Sequence, residues 1–315
     1  MTLGGAQRVL TRFPGLVTID DVSADGRVLL TTAQWYRGLM VVGPGDAKER
    51  DLAWFENAHL GALSHDGQTL LFGDRGRGTG PPAPVQTYLR RTDGSPAVHL
   101  GEGLPVALSP DGRWVLSAPN HPSLRCQLLP TGPGEPRPLP LGGSEWGVAA
   151  WLPDGRRVVV NGHEKGHPPR IFIEEMDGNA RRAVTPGGFL LYLGSEVSPD
   201  GKLFLAIDAQ RKVTAFPVDG GEPRPVPVVR PQEAWAGWGA DSQSLYVYAR
   251  ESDLPVKIDR IDLRTGPREL FKAITPPDPA AFGGVYNIRV APDGKTYAYD
   301  FGRYLCILYV IEGLR

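Results

Sequence analysis

Seven times along its 315 residues the chain writes the same short phrase: an apolar run, a tight turn built on Asp-Gly, and a second apolar run. The copies read VSADGRVLL, LSHDGQTLLF, LSPDGRWVLS, WLPDGRRVVV, VSPDGKLFLA, WGADSQSLYV and VAPDGKTYAY, with turn aspartates Asp25, Asp66, Asp111, Asp154, Asp200, Asp241 and Asp293. Successive turns lie 41 to 52 residues apart. A self-similar period in the forties, with several short strands per unit, is the sequence form of a propeller blade. In an S-P-D-G turn the proline presets φ, the aspartate side chain caps the turn and the glycine accepts positive φ as the strand resumes. The unit is a hairpin joining the first two strands of a blade.

Three residues before each turn aspartate stands Val22, Leu63, Leu108, Trp151, Val197, Trp238 or Val290. A single apolar side chain at a fixed place in every repeat is expected to pack between neighbouring blades. Third strands such as IFIEE and VKIDRID follow, and then more polar fourth strands rich in proline, as suits an outer edge. After Asp293 three strands remain and a fourth is missing, while GGAQRVLTRF before Asp25 has the pattern of a spare fourth strand. The expected fold is therefore all-β: one domain over residues 1–315, a seven-bladed β-propeller of four antiparallel strands per blade, with an N-terminal strand closing the last blade.

The repeats resemble the TolB-like propeller repeat, whose hallmark is the same SPDG turn. The order YLRRTDGSPAVHLGEG, ALSPDGRWVL, LLPTGPGEPRPLP, FPVDGGEPRPVPV and PDGKTYAYDFGRYLCILYVIEGLR is similar to the C-terminal sensor-type region of bacterial serine/threonine protein kinases, notably acidobacterial ones. The likeness runs from Val17 onward. It implies a recognition role within a larger signalling protein, extracytoplasmic if that protein is membrane-anchored and cytoplasmic otherwise. The kinase motifs themselves (a Gly-rich loop with a lysine strand, HRD, DFG) do not occur in this sequence.

A net charge of −1 with interspersed signs leaves no basic footprint for nucleic acid. The N-terminal stretch MTLGGAQRVLTRF lacks the apolar core of a signal peptide, and the apolar run Tyr304 to Ile311 is too short to span a bilayer. Cys126 and Cys306 each sit in an apolar run and read as buried small hydrophobes.

Motifs with catalytic associations fail on context. His163-Glu164-Lys165-Gly166-His167 spells H-E-x-x-H, but zinc ligation by that spacing needs a helix, and Gly166 with Pro168-Pro169 opposes one. Ser144 lies in GGSEWG, which misses the nucleophile-elbow pattern. Gly294-Lys295-Thr296 is a blade turn without the upstream glycine of a P-loop. No catalytic, metal-binding or cofactor-binding residue is assigned.

Strand alternation puts the Asp-Gly turns on one face of the disc and the longer, variable loops on the other. Aromatic and arginine side chains interleaved on an exposed rim are what protein-recognition surfaces use. The loop-rich face is expected to offer Trp35, Tyr36, Arg37, Arg75, Arg77, Trp146, His163, Arg211, Trp235, Arg250, Tyr286 and Arg303. Glu56, Glu102, Glu145 and Glu233 precede their turn aspartates by eight to ten residues and are expected at the channel mouth. The expected function is non-catalytic binding of a protein, peptide or small ligand by a monomer. The alternative is a lyase- or lactonase-type propeller enzyme with a metal in its central channel.

Overall fold

The computed structural model describes residues 16–53, 57–76, 84–118, 126–139, 149–164, 166–178, 180–192, 197–250 and 253–312. All regular structure among them is β, and no helix is long and apolar enough to cross a membrane. The chain begins with β1 (Leu16–Val22), β2 (Val28–Val42) and β3 (Arg50–Asp51). Four-stranded sheets follow in sequence order: β4 to β7 (Ala58–Leu63, Thr69–Asp74, Gln86–Arg91, Val98–Glu102) and β8 to β11 (Leu104–Leu108, Trp114–Ala118, Gln127–Pro130, Arg137–Pro138). Next come β12 to β15 (Ala149–Trp151, Arg157–Gly162, Arg170–Glu175, Arg181–Ala183) and the three strands β16 to β18 (Leu203–Ile207, Val213–Pro217, Arg224–Pro225). Bridges from Leu190 and Val197 to the first of these three supply the inner edge of that blade. Strands β19 to β22 (Glu233–Trp238, Ser244–Ala249, Val256–Asp262, Arg268–Ile274) make another sheet, and β23 (Phe282–Val290) and β24 (Tyr297–Ile311) end the chain.

The described residues form six sheets, one fewer than the seven turns suggested. The last sheet takes strands from both ends of the chain: β23 and β24 pair with each other, and β24 pairs with β2 in one unbroken antiparallel ladder from Val28↔Ile311 to Val42↔Tyr297. The inner half of that ladder, with β23 inside and β3 outside, is a propeller blade. The outer half, with β1 added, projects beyond the disc as a three-stranded arm. The hairpin at Asp25 therefore sits at the tip of the arm instead of in a blade of its own. Its local chemistry matches the others: Ser23 Oγ donates to Asp25, as Ser64, Ser109 and Ser198 do to Asp66, Asp111 and Asp200. The same turn is made in every copy, but the turn specifies a hairpin and not its place in the ring.

Ring closure is thus shared, two strands from each terminus. The segment expected to supply the closing strand, residues 4–13, lies outside the described residues.

Burial confirms the count of blades. The buried side chains fall into six clusters, each between two neighbouring sheets. Alternation along a single strand feeds both sides: Leu70 and Phe72 pack toward the closing blade, while Leu71 between them packs toward Val115 and Leu129 of the next. A strand covered on both faces must be apolar throughout, which explains runs such as TLLF and RVVV. Most innermost strands carry a bulge, at Gly61, Val106, Ala236 and Tyr286, that curves the strand around the axis.

Candidate functional site

On the face opposite the Asp-Gly turns, the closing blade and its neighbour bring four chemically active side chains together. Asp300, on β24, is fully buried. One of its oxygens accepts from the Leu60 amide at 2.7 Å and from Asn287 Nδ2 at 2.9 Å. The other accepts from the Asn287 amide at 2.9 Å and faces Arg37 Nη2 at 3.5 Å. Burial raises the pKa of this carboxyl, against the opposing pull of Arg37 and the Asn287 donors. Asp300 thereby ties the last strand of the chain to the inner strand of the first complete blade.

Arg37, on β2, lies between Asp300 and His59 and stacks its guanidinium 4.3 Å from the centre of the Tyr286 ring. Its Nη1 contacts the His59 imidazole through Nδ1, and because a guanidinium only donates, the ring nitrogen accepts. Burial, together with the charges of Arg37 and Arg75, lowers the His59 pKa to about 3, so the imidazole is neutral at physiological pH. Arg37 Nε is buried with no acceptor among the described residues. The bulge at Tyr286 aims that ring outward, where Trp35 meets it at 5.9 Å and Tyr304 meets Trp35 at 6.0 Å. Trp35 lies across Gly283 and Gly302; a Cβ at Gly302 would stand 2.6 Å from its ring. Arg303 closes this edge through Asp278 and the Ala280 carbonyl.

Trp35, Tyr36, Arg37 and Arg303 were expected on loops. They lie instead on paired strands, with Trp35↔Tyr304 and Tyr36↔Arg303 in the long ladder. QWYR and DFGR contain neither proline nor an Asp-Gly pair, so nothing in them breaks the strand. The edge they form continues onto the arm, where both sheet faces are open. Ile19 is 65% exposed, Leu308 64%, Val310 59% and Ile307 52%. Cys306 is exposed there too, contrary to the burial expected of it; Cys126 is buried.

A second group gathers on the same face: Arg211 and Arg250 stand 5.0 and 5.1 Å from the Tyr192 ring, which packs edge-on against Trp235 at 5.4 Å. Trp235 itself is 3% exposed and belongs to the core between two blades, so it is not a rim residue. Its sequence WAGW is buried throughout because β19 is an inner strand covered on both sides. Arg75 and His163 are exposed; His163 and His167 are in a loop without helix, unsuited to H-E-x-x-H ligation. Arg77 and Trp146 lie outside the described residues.

Neither described member of the glutamate set reaches the channel. Glu233 is 6% exposed and is held by Arg268 at 2.7 and 3.1 Å and by the Arg230 amide, an inter-strand tie that leaves no free carboxylate. Glu102 is exposed at the end of the outer strand β7, opposite Gln86, away from the axis. Glu56 and Glu145 lie outside the described residues. Among the described residues no three His, Cys, Asp or Glu side chains cluster as a metal would need.

The channel is open on the turn face, where residues of all six blades line a cavity of about 630 Å³. Its walls are mostly apolar, from Leu63, Val106, Trp151, Val197 and Trp238.

No family model matches the chain, and no curated protein matches it. Solved structures do. A TolB-type protein of Agrobacterium tumefaciens superposes with a TM-score of 0.61 at 17% identity, over 86% of this chain and 99% of that one. An oligogalacturonate lyase in complex with manganese gives 0.50 at 14%, over 90% and 77%. A chain from a nidogen/laminin complex gives 0.54 at 13%, over 76% and 94%. At these identities the likeness is one of fold: a TolB-like β-propeller, a scaffold carried by both binding proteins and enzymes.

Proposed function

We propose that the chain is a non-catalytic, protein-binding propeller whose partner seats on the arm and on the aromatic–arginine edge at its root. The observation that carries this reading is the arm itself. Its strands expose apolar side chains on both faces, a surface that water disfavours and that a partner would cover. Beyond Tyr304 the edge of β24 remote from β2 has no neighbouring strand among the described residues, an edge of the kind to which a partner can add a strand. Trp35, Tyr304 and Tyr286 supply large rigid contact area next to the arginines Arg37 and Arg303, the residue types that dominate binding energy at protein interfaces. The occurrence of the same fold in a nidogen/laminin complex, and the resemblance of the repeats to kinase sensor regions, support a recognition module of a larger bacterial signalling protein.

A photo-crosslinking residue at Leu308, compared with one at the exposed Lys48 on the disc, tests this in cells that make the protein natively. A discrete adduct at position 308, reduced by Trp35→Ala, is expected. Equal adducts at both positions, or adducts insensitive to Trp35→Ala, would remove the arm as the binding surface.

A further inference from the structure

We propose that the turn-side half of the central channel is a second binding site, for a small organic carboxylate gripped by Arg289. This residue lies on the innermost strand β23, is 6% exposed, and lines the cavity of about 630 Å³. Its Nε donates to the Gly61 carbonyl at 3.2 Å and its Nη1 to the Ile288 carbonyl at 2.8 Å, which fixes the plane of the guanidinium across two blades. No carboxylate among the described residues pairs with it. A buried cation held only by carbonyl dipoles retains most of its desolvation cost until an anion joins it.

The repeat itself singles this residue out. Counting four residues back from the turn aspartate, the other described blades place Ala62, Ala107, Ala150 and Gly237, each opposite the second strand in the same register as Arg289↔Ala298. All four are small, and among the described blades a long cationic side chain stands at that level in this one alone. Three of these alanines line the same cavity as Arg289. The remaining blade has Glu196 at the equivalent position, outside the described residues.

The class of ligand follows from the walls. One planar guanidinium fork matches one carboxylate. Asp66 and Asp111 at the mouth disfavour dianions such as phosphate. Leu63, Val106, Trp151 and Trp238 offer an apolar body-binding surface, and the volume lies within the range of about 300–1,000 Å³ of small-molecule sites.

The test titrates the whole protein with benzoate and indole-3-acetate, with benzamide and indole-3-acetamide as neutral isosteres and with sulfate and chloride as simple anions. Binding is read by calorimetry and by the Arg289 Nε–H resonance. The carboxylates are expected to shift that resonance and to bind at least tenfold more tightly than their amides. Affinity should fall at least tenfold in Arg289→Met, fall less in Arg289→Lys, which keeps the charge but loses the fork, and vanish in Ala107→Phe, which fills the cavity without touching the charge. Should Arg289→Met not fold, the resonance shift in the unaltered protein and the Ala107→Phe result decide. Equal binding of the amides, unchanged affinity in Arg289→Met, or binding that appears only after Glu196→Gln overturns the proposal. A response matched by sulfate or chloride means an adventitious ion only, and overturns it equally.

Discussion

Asp300→Asn distinguishes a hydrogen-bonded latch from a side chain that merely fills space. In the native protein one carboxylate oxygen accepts from Leu60 N and Asn287 Nδ2, and the other accepts from Asn287 N and faces Arg37. Every one of these partners is a donor. An asparagine has one accepting oxygen and one donating NH₂, so whichever way its amide turns, two donors confront the NH₂ group. Each orphaned buried donor costs about 1–3 kcal/mol. Removing the charge relieves the burial penalty that raises this carboxyl's pKa, which offsets part of that cost. The net expectation is a loss of about 3–5 kcal/mol, the usual consequence of breaking a buried charged network, and no milder than the loss for Asp300→Ala. Urea unfolding followed by tryptophan fluorescence and near-ultraviolet circular dichroism measures it, and hydrogen exchange at the Leu60 amide localises it. If Asp300→Asn lies within about 0.5 kcal/mol of the native protein, the level of an ordinary surface change, the latch reasoning is refuted.

Further expectations concern other parts of the ring. His59 has a folded pKa of about 3 against 6.5 unfolded, so the unfolded chain binds the extra proton between those values; stability should fall as pH drops from 6.5 toward 3, and His59→Asn should flatten that limb in urea midpoints taken at pH 4 and pH 7. Glu233→Gln should cost about 1–3 kcal/mol by weakening the tie to Arg268, which keeps Asp259 and the Val228 carbonyl, read as a lower urea midpoint at neutral pH; an unchanged midpoint would mean the pair is not structural. Gly237→Ala places a Cβ 2.4 Å from the Val290 carbonyl at a φ of +149°, and should lower the melting temperature more than Gly132→Ala, where the space is open. Paired Ile19→Lys and Leu308→Lys changes on the arm should abolish binding of a hydrophobic dye while altering stability by less than about 1 kcal/mol, since neither side chain is in the core.

The fold was legible to the extent that local chemistry fixes it. Aspartate, serine and glycine at set spacing make the hairpin wherever they occur, and alternating apolar strands make blades. What sequence could not separate was a hairpin in the ring from the same hairpin on an arm, because Ser23, Asp25 and Arg27 satisfy one another without reference to β24. That distinction depends on pairing between strands far apart in the chain. Arg37 and Tyr286 were readable as members of one site by type and face, but His59 and Asp300 join them only through blade contacts of long range. Trp235 shows the converse: an aromatic in an inter-blade segment looks like rim until the inner strand it begins is seen to be covered on both sides. The isolated arginine among alanines at one level of the repeat was present in the alignment of copies. Its meaning required knowing that Arg289 lines the cavity of the channel.

The long ladder of β2 with β24 also sets a clock on biosynthesis. Val42 is made about 250 residues before its partner Tyr297; at the usual 5–20 residues per second, roughly 12 to 50 seconds pass between them. During that interval the five intervening blades can form and stack as they emerge, but β2 leaves the ribosome with only β3 beside its apolar inner half, Leu39 to Val41, and the β24 side of that half open. The first long strand to be synthesised is among the last to be enclosed, and a nascent chain stalled before β24 would present it to chaperones.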